Sequence, residues 1–155
     1  MKLCRVGNLG QEIPALIDKD NNFRNLSSII EDLNSTTINF ETLEKIKKVE
    51  HNKLSILENN QRIGACVSNP SKYIGIGLNF KDHAIEQNLP IPKEPIIFSK
   101  FTNSICGPND DINIPKNSEH TDWEVELGFV IGKKAKYVNE EDAINYVFGF
   151  FLANA

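Results

Sequence analysis

The sequence predicts an α+β fold, with a small N-terminal αβ module over residues 1–66 followed by a strand-rich unit over residues 67–155. Three observations predict it. Short apolar runs bounded by Asn, Asp, Gly and Pro clusters recur along the chain, and two segments between residues 27 and 50 have helical spacing behind a capping residue. The stretch Thr121–Lys133, T-D-W-E-V-E-L-G-F-V-I-G-K, alternates apolar and non-apolar residues from Asp122 to Ile131 with the period of two that marks a strand.

In order, Lys2–Val6 and Ile13–Ile17 read as strands, with Asp18–Asn22 as the turn into a third, Phe23–Leu26. Ser27 or Ser28 is positioned to cap a helix carrying Ile29, Ile30 and Leu33, and Asn39 to cap one carrying Phe40, Leu43, Ile46 and Val49. On that second helix Lys45, Lys47 and Lys48 interleave with Glu41, Glu44 and Glu50, the pattern of a solvated face rather than a binding patch. His51 has no partner in sequence and reads as a surface histidine. The polar stretch Asn59-Asn60-Gln61 marks the change of character between the two units.

Tyr73–Leu78 is expected to be a buried strand, its Gly75 and Gly77 allowing close passage of another group. The dinucleotide-binding reading of Gly75-x-Gly77 fails, because Phe80 stands at the third glycine position. Asn79–Pro90 is a short segment stopped by proline; if helical, it puts His83 and Glu86 at i and i+3 on one face. Pro95–Lys100 and Ile112–Pro115 are expected strands around a turn at Gly107–Asp110. Asn139 then caps a helix with Ala143, Ile144 and Val147, and Phe148–Ala155 is a final strand.

In the alternating strand, Trp123, Val125, Leu127, Phe129 and Ile131 share one face, while Asp122, Glu124, Glu126, Gly128 and Val130 share the other. Carboxylates two residues apart on a strand lie roughly 7 Å from each other, so Glu124 and Glu126 repel if both are ionised in a shielded place. A divalent cation with oxygen ligands would settle them; an ordinary sheet with one wet face is the alternative. A carboxylate beside an imidazole, as in His83 and Glu86, makes a general base near neutral pH, or simply a solvated pair.

Composition bounds these options. With 40% hydrophobic and 25% charged residues and a net charge of −4, the 155-residue chain is of globular type, with no electrostatic footprint for nucleic acid. No run is long enough to span a bilayer and the first ten residues lack the apolar core of a signal peptide, so a cytoplasmic protein without membrane association is expected. Cys4, Cys66 and Cys106 lack metal-ligand spacing and are expected to be buried or neutral thiols.

Several consecutive motifs carry a resemblance: G-L-N-F-K-D-H-A-x-E, P-x-x-P-K-E-P-I-I-F-S-K, I-C-G-P-N-D-D-I-x-I-P and T-D-W-E-V-E-L-G-F-V-I-G-K-x-A-K-Y-V. Together they resemble the fumarylacetoacetate hydrolase family, and within it bacterial members acting on diketo-deoxy sugar acids or named ureidoglycolate lyases. The resemblance implies a mixed β-roll with Mg2+ or Mn2+ at its open end, in an enzyme that forms homodimers. It implies Glu124 and Glu126 as metal ligands, His83 and Glu86 as the catalytic dyad on a lid helix, and Lys100 as a substrate-binding lysine. The substrates implied are small 2-oxo or 2,4-dioxo acids, whose oxygens chelate the ion as a C–C bond breaks and enolate charge develops. Hydrolase, lyase, isomerase and decarboxylase chemistry share that site. The family continues from the strand of Gly149–Ala155 into Asn-Asp-x-Ser-x-Arg, whose aspartate is the third metal ligand; this sequence reads Asn154-Ala155. The expectation is therefore an N-terminal portion of the fold, weak in metal binding and inactive alone, or else a non-enzymatic remnant or partner chain. Its terminal strand and the apolar face of Trp123–Ile131 would then lack cover and favour association.

Overall fold

The computed structural model describes all 155 residues, Met1–Ala155, and divides into two compact units: Met1–Ser68 with Cys106–Ala155, and Asn69–Ile105. In the first unit, β1 (Lys2–Val6), β2 (Ile13–Ile17) and β3 (Phe23–Asn25) form an antiparallel meander. Its β2–β3 hairpin turns as the composition of residues 18–22 predicts. Asp18 Oδ1 accepts from the amides of Asp20 and Asn22, each at 2.9 Å, and Asn21 takes the left-handed φ of 61° that Asn tolerates. Neither edge of the meander is left bare: a bridge joins Val6 to Ile63, another joins Arg24 to Ile56, and the Leu57 amide donates to Phe23 O at 2.8 Å.

α1 (Phe40–Lys48) forms because Asn39 caps it, Oδ1 accepting from the Thr42 amide at 2.8 Å, with Glu41 in the first turn and lysines in the last. Thr42 and Ile46, one turn apart, are its buried residues. Burying Ile46 contributes about 1.5–3 kcal/mol. The lysine-rich face is solvated and internally paired, Lys45 with Glu41 at 2.8 Å and Lys47 with Glu44 at 2.7 Å. Leu16, Leu26, Ile30, Leu33 and Ile46 make one core cluster, and Cys4, Val6, Ala15 and Phe23 a second. Adjacent residues Ala15 and Leu16 fall in different clusters, so β2 is covered on both faces.

Several features of the first unit differ from the sequence expectation. Residues 27–33 form turns and bends rather than a helix; Asn25 Oδ1 takes the Ser27 amide and Asp32 Oδ1 takes that of Leu33, local partners that compete with a helical ladder. Ile30 and Leu33 still reach the core. Residues 112–115 pair with nothing and form no strand, leaving Ile112 and Ile114 exposed. The segment after Asn139 is a 3₁₀ helix, Glu140–Tyr146, and Asn139 makes no side-chain cap. His51 is half-buried rather than a free surface residue, with Nε2 3.0 Å from Ile46 O at the end of α1. The thiols also differ among themselves: burial pushes Cys4 up to about 11, whereas Cys106 is exposed.

The first unit also contains β6 (Val125–Ile131) and β7 (Val147–Asn154), an antiparallel pair with an irregularity between Val130 and Ile131. Lys133, just past β6, reaches the ring of Tyr146 at 4.1 Å and of Phe40 at 5.7 Å, linking this pair to the start of α1. A charged chain links residues 106–110 to the meander. Arg5 holds Asp32 bidentately at 2.7 and 3.0 Å, Glu12 accepts from Arg62 at 2.6 Å, and Arg62 Nε donates to Asp110 at 2.6 Å.

The second unit contains β4 (Tyr73–Gly77), α2 (Lys81–Glu86) and β5 (Ile96–Lys100), with β4 and β5 antiparallel. β4 is not the buried strand its composition suggested: Ile74 and Ile76 are exposed while Gly75 and Gly77 are half-buried, and the Phe98 ring fills the space over Gly75. No helix of the chain is long and apolar enough to cross a membrane.

Candidate active site

In the second unit β4 ends in a backbone kink, Leu78 at φ 47°, that turns the chain through Asn79 and Phe80 into α2. This helix has no side-chain cap at its start, but a complete stop at its end. Asn88 takes φ 53°, its amide donates to Ile85 O at 3.0 Å, and the Leu89 amide donates to Ala84 O at 2.9 Å. These two bonds with a left-handed residue between them make a Schellman motif, with Pro90 barring continuation. Ala84 is the only buried residue of the helix, so one small side chain seats it and His83 and Glu86 stay exposed.

The i, i+3 spacing is realised, and His83 and Glu86 share a helix face. No hydrogen bond or ion pair joins their side chains. Lys100 ends β5, is half-buried, and pairs in register with Tyr73, whereas Gly77, which leads toward α2, pairs with Ile96. Four residue steps separate the two ends of this ladder, roughly 13 Å. Lys100 therefore sits at the end of the ladder remote from the chain's exit toward the dyad.

In the first unit Glu124 and Glu126 lie at the beginning of β6, with Glu124 one residue before the strand. The Glu124 backbone is fixed on both sides: its amide donates to Asn154 Oδ1 at 3.0 Å and its carbonyl accepts from the Ala155 amide at 2.9 Å. Sequence reasoning misses this role of Asn154; a polar residue ending an apolar strand is the one signal for it. Glu124 is exposed and Glu126 half-buried. Glu126 stands opposite Ala153, and beside it Gly128 stands opposite Phe151, whose ring occupies the place a side chain at Gly128 would take. The carboxylate face is thus walled on one side by an aromatic ring, while the opposite face, with Trp123 70% and Leu127 63% exposed, is bare.

These donors fit a divalent ion incompletely. Mg2+ and Mn2+ favour several oxygen ligands in near-octahedral array. Glu124 and Glu126 supply two carboxylates, but no three His, Cys, Asp or Glu side chains of the chain converge into a group able to hold a metal. The two glutamates alone do not make a metal site.

Comparison with known proteins adds three findings. Residues 72–155 match the family model described as "Fumarylacetoacetate (FAA) hydrolase C-terminal". A Burkholderia lata protein provisionally named a hydrolase is 48% identical over 154 residues, 99% of this chain and 55% of the relative, and a Burkholderia ambifaria protein of the same kind matches equally. The chain spans about half the length of the curated relatives it matches. Among solved structures, a Mycobacterium abscessus protein described as a "probable 2-hydroxyhepta-2,4-diene-1,7-dioate isomerase" superposes with a TM-score of 0.70 at 28% identity, over 99% of this chain and 51% of that one. A fumarylacetoacetate hydrolase from Exiguobacterium antarcticum gives 0.75 at 24% identity over 99% and 55%, a likeness of fold.

Proposed function

Because the chain belongs to the fumarylacetoacetate hydrolase family, whose enzymes generally use divalent metals, we propose that it forms part of an enzyme cleaving a C–C bond in a small 2-oxo or 2,4-dioxo acid. One observation carries this: all five candidate residues, His83, Glu86, Lys100, Glu124 and Glu126, fall inside the matched span 72–155. The division into an N-terminal module, residues 1–66, and a catalytic unit, residues 67–155, is part of this proposal; the family match begins at residue 72. The superpositions support the fold of this family, and a mixed β-roll is part of the proposal.

Glu124 and Glu126 would hold Mg2+ or Mn2+ as two of its ligands, and the ion would supply charge stabilisation for a developing enolate. His83 takes a proton, from water or from a carbon next to the substrate carbonyl. Glu86, one helical turn on, orients the imidazole and stabilises its charged form. The exposure of both suits a helix that meets its substrate from solvent. Lys100, half-buried at a strand end, supplies a positive charge for a substrate carboxylate or carbonyl. An isomerase reading is favoured by the likeness to the Mycobacterium abscessus protein named for that activity, and differs only in whether a proton shift is followed by bond cleavage.

The experiment is a chimera in which residues 1–155 are followed by the part of the Burkholderia lata relative beyond the match. It is expected to turn over a 2,4-dioxo acid, to lose activity in EDTA and to regain it with Mg2+ or Mn2+. A chimera that folds and transforms none of a panel of 2-oxo and 2,4-dioxo acids contradicts the proposal.

A further inference from the structure

A cavity of about 370 Å³ opens within the second unit where β4 runs into the Leu78 kink, between that corner and residues 91–95. Its volume lies at the small end of the range for organic ligands, roughly 300–1,000 Å³. Ile76, Ile91 and Pro92 give it apolar walls, and Lys81 and Lys93, far apart in sequence, both line it. Neither lysine has an ion-pair partner. The helical lysines Lys45 and Lys47, by contrast, are neutralised by neighbouring glutamates. Glu94 lies on the same rim without bridging to either cation.

The wall of this cavity is also where the backbone is strained. Leu78, a lining residue, holds φ 47°, the left-handed region that disfavours a residue with a Cβ. Such conformations cluster at ligand-binding and active sites. Two lysines without ion-pair partners on the lining of one small, partly apolar cavity suit an anion with a short carbon chain, whose charge the lysines would meet while its methylenes meet the apolar wall.

We propose that this cavity binds the carboxylate end of a small aliphatic acid, with Lys81 and Lys93 as its cationic contacts. The assignment deepens the oxo-acid reading above and rests on it for the substrate class, adding a subsite of its own. Apolar walls favour an acid whose carboxylate is carried on an aliphatic segment.

Calorimetric titration of the 155-residue chain with succinate tests it, with neutral succinamide as the matched control. Succinate is expected to bind and succinamide not. Lys81→Gln with Lys93→Gln should weaken succinate binding roughly tenfold or more, as loss of charge-assisted contacts requires, whereas Lys93→Arg should retain it. Both lysines are exposed, and unchanged far-ultraviolet circular dichroism of the double variant verifies the fold. No heat with succinate, equal binding of succinamide, or undiminished binding by the double variant would each overturn the assignment. Succinate binding by a chain whose chimera transforms no oxo acid would support the subsite and refute the enzymatic reading; turnover without a succinate response would do the reverse.

Discussion

The ring of Phe151 lies across Gly128, its partner in the β6–β7 register, and fills the position a side chain at residue 128 would need. This explains the glycine in the middle of an alternating strand, where an ordinary residue would be favoured. The contact also puts an aromatic wall beside Glu126. Gly128→Ala should therefore push the half-buried Phe151 ring aside and destabilise the chain by about 1 kcal/mol, the low end for overpacking. Gly149→Ala, in the paired strand with open space around its Cβ position, should change stability little. Paired thermal denaturation curves check the contrast, and equal behaviour of the two variants would refute it.

Acid should loosen the first unit. Asp18 is pulled down to about 2, first by the Arg24 hydrogen bond and then by the backbone amides of its turn, and Asp110 is lowered by its Arg62 hydrogen bond. A carboxyl depressed in the folded state contributes stability that is fully present above its unfolded value, near 4, and is lost as pH falls through the folded one. Melting temperature is thus expected to fall progressively as pH drops from about 4 toward 2. Asp18→Asn should flatten that dependence. A profile unchanged by this substitution would show that the turn does not carry the effect.

The bare face of β6–β7 predicts self-association. Trp123, Val125, Leu127 and Phe129 are all more than half exposed on it, and Leu152 is 82% exposed. Contiguous apolar surface of this kind drives association. Light scattering coupled to size exclusion should find species above 17.5 kDa, reduced by Leu127→Glu. A monodisperse monomer at micromolar concentration would contradict this.

Metal binding by this chain should be weak, because two carboxylates without a third donor leave most of a hard cation's coordination to water. Titration with Mn2+ should give at best millimolar affinity, lost in Glu126→Gln. Sub-micromolar affinity would require donors other than Glu124 and Glu126, with Asp122 and His120 the nearest in sequence.

What the sequence discloses depends on how local the cause is. α1 is legible because its cap, Asn39, and its core residue, Ile46, lie within eight residues of one another, although Thr42 is buried with Ile46 and the expected Phe40, Leu43 and Val49 are only half-buried. The same holds for the Asp18 turn and for His83 and Glu86 on α2. The expected helix at 27–33 fails where Asn25 and Asp32 compete for the backbone, a balance that spacing does not reveal. Residues 112–115 show strand composition but have no partner, and a strand is made by its partner. The hydrogen bond from Glu124 to Asn154 spans 30 residues, and Lys81 and Lys93 come together only as lining of one cavity. Neither leaves a periodic trace.

The chemistry rests on His83, and its removal is the most direct test. In the chimera with the Burkholderia lata relative, His83→Ala is expected to lower kcat by roughly 10²-fold or more, the usual worth of a general base. Melting temperature should be unchanged, since the side chain is exposed. Glu86→Gln should act in the same direction but less. Full activity of His83→Ala in an enzyme that EDTA still abolishes would contradict the account and place the base elsewhere.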